Sequence, residues 1–113
     1  MYNSEFSYNL LHILKESMRQ NISKSIPGLL EILNMHCMLR YNKDFYTLFL
    51  ESPCEAYKSI LNLYKDENIT SLIFKLLLKS ITIDDANINI LLTYIRNCKD
   101  KEFLETIHKL VYR

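Results

Sequence analysis

The amino-acid sequence predicts an all-α fold of six or seven short antiparallel helices, arranged as a compact bundle or a short α-solenoid-like stack. Three observations carry this expectation. Apolar residues recur at i, i+3, i+4 and i+7 along nearly the whole chain, the spacing of one face of a helix. The alternation that marks a half-buried strand is almost absent. Polar breaks that carry helix-capping residues recur at near-regular intervals, so the last four helices are expected to start near residues 53, 69, 85 and 101.

The first helix, from about Glu5 to Gln20, places Phe6, Leu10, Ile13, Leu14 and Met18 on one face, with Ser4 as N-cap and Lys15, Glu16 and Arg19 on the far side. The second opens at Ser25-Ile26-Pro27, where Ser25 caps and Pro27 occupies a first turn whose amides lack partners anyway. Leu29, Leu30, Ile32, Leu33 and Cys37 carry it to about Arg40. After the turn Tyr41-Asn42-Lys43-Asp44, the residues Phe45, Leu48 and Phe49 form a short third helix.

Ser52-Pro53-Cys54-Glu55 is the sharpest local signal. Ser at the cap, Pro at the first helical position and Glu three residues after the cap make a capping box, so a fourth helix is expected to start at Pro53. Its apolar face is Ala56, Tyr57, Ile60, Leu61 and Tyr64, and Lys65-Asp66-Glu67-Asn68 interrupts it. Leu72, Ile73, Leu76 and Leu77 follow in a fifth helix from about Ile69. Asp84 or Asp85 caps a sixth with Ile88, Leu91, Leu92 and Ile95, and Asp100 caps a seventh with Phe103, Leu104, Ile107, Leu110 and Val111.

Two consecutive helices of this length form a unit of 32 residues, and an offset of 32 pairs Ile60 with Leu92, Leu63 with Ile95 and Leu72 with Leu104. Over residues 26–113 this helix spacing resembles a short armadillo or HEAT-type stack, which implies antiparallel pairs presenting an extended binding surface. The stretch from Leu29 through Ile81 also resembles the helical N-terminal domain of the transcription elongation factor TFIIS. It departs from that pattern in having no Trp.

A chain of 113 residues and 13.5 kDa is expected to be a single helical domain, residues 1–113. Hydrophobic residues make up 49% of it, enough apolar surface to exclude the low-hydropathy disordered class. One glycine, Gly28, excludes a phosphate-cradling P-loop or a dinucleotide fingerprint, each of which needs several. A formal charge of +1 supplies no net field toward nucleic acid or anionic lipid, so any such contact must come from a local patch. Apolar runs are far shorter than the roughly 20 residues that cross a bilayer, and the opening lacks the basic start and small-residue cleavage site of a secretory signal. Cys37, Cys54 and Cys98, odd in number and widely spaced, do not read as a disulfide framework. The expectation is a chain with no membrane contact in a reducing intracellular setting, cytoplasmic or nuclear.

Catalytic chemistry finds no constellation to rest on. His12, His36 and His108 show no zinc-ligand spacing with the cysteines, so no metal and no cofactor is expected. Cys54, in the first turn of the fourth helix, is the best-placed reactive thiol, because the helix dipole lowers a thiol pKa there. No glycine-bearing loop or histidine is assigned to it. Asp84-Asp85 and Asp66-Glu67 stand at helix starts, where capping and the dipole account for them.

Basic residues show more order. Lys75 with Lys79 and Lys109 with Arg113 are i, i+4 pairs near helix C-termini, and Arg40 and Arg96 take the same position elsewhere. Helix dipoles alone favour cations there by about 0.3–1 kcal/mol each. Antiparallel stacking would gather Lys75, Lys79, Lys109 and Arg113 into one positive edge. Tyr41 beside Arg40 and Tyr94 near Arg96 suit an interface, since a tyrosine ring buries area while its hydroxyl keeps a hydrogen bond. The function expected from these residues is a non-enzymatic protein-interaction module: a subunit, adaptor or inhibitor on a larger complex. The alternatives are an RNA- or ribosome-associated factor using the basic rim, and a Bcl-2-like regulator holding a partner helix in a groove.

Overall fold

Helix boundaries in this chain fall where a side chain or a left-handed residue can take up the free backbone groups of a helix end. The computed structural model describes residues 4–111, with α1 side chains described at Asn9, His12, Ile13 and from Lys15 onward. Over these residues run α1 (Ser4–Ser25), α2 (Leu29–Tyr41), α3 (Phe45–Glu51), α4 (Pro53–Tyr64), α5 (Glu67–Leu78), α6 (Asp85–Arg96) and α7 (Asp100–Val111), with no strand among them. Asp44 caps α3 by accepting from Thr47 N–H, Asp66 caps α5 through Ile69 N–H, and Asp84 caps α6 through Ala86 N–H. Asn42, Lys65 and Cys98 have φ of 58°, 55° and 57°, the left-handed conformation that reverses the chain after α2, α4 and α6.

Two expected boundaries are corrected. Ser25 does not open the second helix; it is the last residue of α1, and its hydroxyl donates back to the Asn21 carbonyl. Pro27 then lies in the turn, and Gly28, with φ of 88°, starts α2 in a conformation that a side chain would strain. At α4 the start at Pro53 holds, but Ser52 makes no side-chain cap bond. The Cys54 N–H instead donates to Asp100 Oδ1 at 3.1 Å, so a residue expected to cap α7 caps α4 across 46 positions of sequence.

Four fully buried phenylalanines knit the helices. Phe49 of α3 meets Phe45 at 5.6 Å, Phe74 of α5 at 5.7 Å and Phe103 of α7 at 5.5 Å between ring centroids, and Tyr57 of α4 closes on Phe74 at 5.1 Å. The surrounding core is one continuous cluster that includes Met18, Leu33, Ile60, Leu77, Leu91 and Ile95. In an open solenoid each helix meets only near neighbours in sequence. Here α1 also packs on α5, and α4 on α7 as well as on α5 and α6. The outcome is the compact bundle, with extents of 34 × 30 × 28 Å.

The cysteines correct a third expectation. Cys54 at the start of α4 and Cys98 in the α6–α7 turn have Cα atoms 4.9 Å apart and are joined as a disulfide. Cys54 is therefore no reactive thiol. Cys37 is the free cysteine among the described residues and is wholly buried. Burial pushes its thiol pKa up, Asp44 adds to the rise, and the neighbouring Ser59 hydroxyl partly offsets it.

Candidate functional site

The described surface groups the expected residues unequally. Leu72, Lys75, Leu76 and Lys79 follow one another at i, i+3, i+4 and i+7 on α5, and Asp85, Ile88 and Asn89 do so at i, i+3 and i+4 on α6. The two stripes face each other across a hollow of about 340 Å³. A second hollow of about 320 Å³, lined by Asn89, Ile90, Thr93 and Tyr94 of α6 and sharing Asn89 with the first, lies round the helix from the α5–α6 groove. Leu72 is 59% exposed and Ile90 46%, so part of the apolar lining faces water.

Charge is set at one end of this groove. Lys79 closes α5 and Asp85 opens α6, which places the lysine pair at the edge where the chain reverses. Neither Lys75 nor Lys79 has a carboxylate within ion-pair distance among the described residues, where the pairs are Lys15–Asp44, Arg19–Glu16, Lys43–Glu51 and Arg96–Glu67. Asp85 supplies the one negative side chain of the lining.

The remaining candidates disperse. Lys109 is exposed in the last turn of α7 and is not part of the groove's lining. Arg113 lies outside the described residues. Arg40 is exposed at the end of α2, and Tyr41, half-buried, donates through its hydroxyl to Glu55 at 3.4 Å. Tyr94 lines the second hollow, on α6. Arg96, exposed at the end of α6, donates through its guanidinium to Ser71 Oγ and to Tyr57 Oη, and lies 3.7 Å from Glu67. Tyr57 in turn donates to Glu67. This polar cluster ties α4, α5 and α6 together.

His36 Nε2 lies 3.0 Å from the Ser59 carbonyl, a contact that only an Nε2–H can make, so the ring is used in holding α2 to α4. No group of three or more His, Cys, Asp or Glu side chains suited to a metal ion exists among the described residues, and no helix there is long and apolar enough to cross a membrane.

Of the residues lining the two hollows, the sequence marks Lys75, Lys79 and Tyr94 as interaction candidates and does not mark Leu72, Leu76, Asp85, Ile88, Asn89, Ile90 or Thr93. The missing signal was the register of the lysines: each stands beside a leucine, in the order Leu72, Lys75, Leu76, Lys79, so that cations and apolar side chains share one stripe. No protein-family model matches the chain, and no curated protein or solved structure is significantly similar to it.

Proposed function

We propose that this chain is a non-enzymatic protein-interaction module whose α5–α6 groove receives an amphipathic segment bearing acidic side chains. The observation behind the reading is the union, on one helix stripe, of an exposed leucine and two lysines that lack ion-pair partners. An apolar floor gives an incoming helix area to bury, and unpaired cations at the rim select the sign of the charges beside that area. Phosphate is the weaker match. Asp85 interrupts the cationic edge, and Lys109 is not part of the lining, so fewer cations converge there than backbone recognition of RNA needs.

Selection of 16-residue peptides from a displayed random library against the wild-type protein tests this. Enriched peptides are expected to carry Asp or Glu between apolar residues at i, i+3 and i+4. Their affinity should fall at least tenfold for Lys75→Glu/Lys79→Glu and for Leu72→Asp. Enrichment without acidic bias, or peptides that bind both variants as well as the wild type, overturns the assignment. A single-stranded RNA that binds tighter than any selected peptide overturns it too.

A further inference from the structure

α2 is apolar on both sides. Leu29, Leu30, Leu33 and Cys37 point into the core. The opposite side, at 100° per residue, carries Ile32, Met35, Met38 and Leu39, which are 51%, 65%, 48% and 82% exposed. A helix lying on a protein surface normally turns charges outward, and α7 does so with Lys101, Glu102, Glu105 and Lys109. On α2 the outward side bears a single charge, Glu31, because His36 is engaged with Ser59 and Asn34 accepts from the Phe45 N–H. Apolar residues all round are the pattern of a helix enclosed by protein.

We infer that the outer face of α2 is the contact between two copies of this chain, paired antiparallel about a two-fold axis beside Met35 and His36. Area favours a second copy. Four side chains so exposed offer on the order of 500 Å², toward the upper end of the largest apolar patch a monomer commonly leaves uncovered, and about two thirds of the ~800 Å² per partner in a stable interface. The two copies together would bury on the order of 1,000 Å², the size of a weak, reversible interface. Spacing favours it as well. With the axis there, Ile32 of one copy meets Leu39 of the other, apolar on apolar, and Met35 meets its own copy, the pairing an isologous contact requires.

Electrostatics agree with this orientation. Antiparallel pairing sets the positive end of each α2 dipole beside the negative end of the other, with Glu31 at the positive end, while Arg40 lies half a turn round the helix from Glu31, away from the contact. The two copies of Glu31 end up roughly 13 Å apart along the helix axis, beyond a Debye length at ordinary salt. A net charge of +1 adds little repulsion between whole molecules. This contact is independent of the α5–α6 groove.

Sedimentation equilibrium of the full chain from about 1 to 200 μM tests the inference. Wild type is expected to pass reversibly from 13.5 kDa to twice that mass, and Met35→Glu is expected to weaken dimerisation at least tenfold with helicity unchanged. Met35→Cys should cross-link under mild oxidation into a covalent dimer, while Lys101→Cys, exposed on α7, should not. A wild type that stays monomeric throughout, a dimer unaffected by Met35→Glu, equal cross-linking at both positions, or open-ended oligomers each overturns it.

Discussion

Asp100 has two roles. As the first residue of α7 it places a negative charge at that helix's positive end. Its Oδ1 accepts from the Cys54 N–H, one of the free donors at the start of α4. Asp100→Ala is therefore expected to cost about 1–2 kcal/mol in urea melts, whereas Ser52→Ala, which removes no side-chain cap bond, should stay within about 0.5 kcal/mol. A second expectation concerns pH. Burial raises the Cys37 thiol above its ordinary 9.0 and the Tyr46 hydroxyl above 10.0; for Tyr46 the Asn34 hydrogen bond and Arg19 oppose the rise while Glu31 and Asp44 add to it. The folded chain thus holds these protons after the unfolded chain has lost them. Stability that is complete below about pH 9 should fall as pH rises through 9–11. Denaturant midpoints measured from pH 7 to 11 check this, and Cys37→Ala should flatten the early part of the decline.

Helix identity was readable from periodicity because each helix buries one stripe, and Asp66 and Asp84 cap α5 and α6 much as their positions suggest. The start of α2 was misplaced because two stop signals compete. Ser25 is an acceptable cap, but Gly28 in its left-handed conformation lets α1 run on for another turn. The disulfide was hidden for a different reason. Cys54 and Cys98 are 44 residues apart with no shared motif, and only the packing of α4 against α6 and α7 brings them together. The same packing brings Arg96 onto the Tyr57–Glu67–Ser71 cluster. Closing a loop of this length constrains the unfolded chain, so dithiothreitol is expected to lower stability by about 2–4 kcal/mol. Parallel melts of Cys54→Ser/Cys98→Ser should match the reduced wild type and be insensitive to reductant.

A surface of 6779 Å² is close to the ~6,500 Å² expected for a monomer of this mass. The radius of gyration of 13.0 Å likewise matches the ~13 Å of a compact chain of this length. A stack of helix pairs would be elongated and could lose a terminal pair while keeping the rest. Here Phe49 meets rings from both α5 and α7, so the two halves of the chain share one centre. Phe49→Ala should cost about 3–5 kcal/mol, comparable to the whole stability of a small domain. Circular dichroism and tryptophan-free near-ultraviolet signals should then be lost together, with no residual half-folded plateau.

The Cys54–Cys98 bond also changes what the molecule does under tension. If the chain is pulled by its ends, force passes from α4 directly into the α6–α7 turn, and the 44-residue span between them bears none of it. That span holds most of α4 and all of α5 and α6, and hence the groove. At roughly 3.4 Å per extended residue, the oxidised protein should yield about 150 Å less contour length than the reduced protein when stretched singly. The groove-bearing helices would be shielded from a load that unravels α1, α2 and α3.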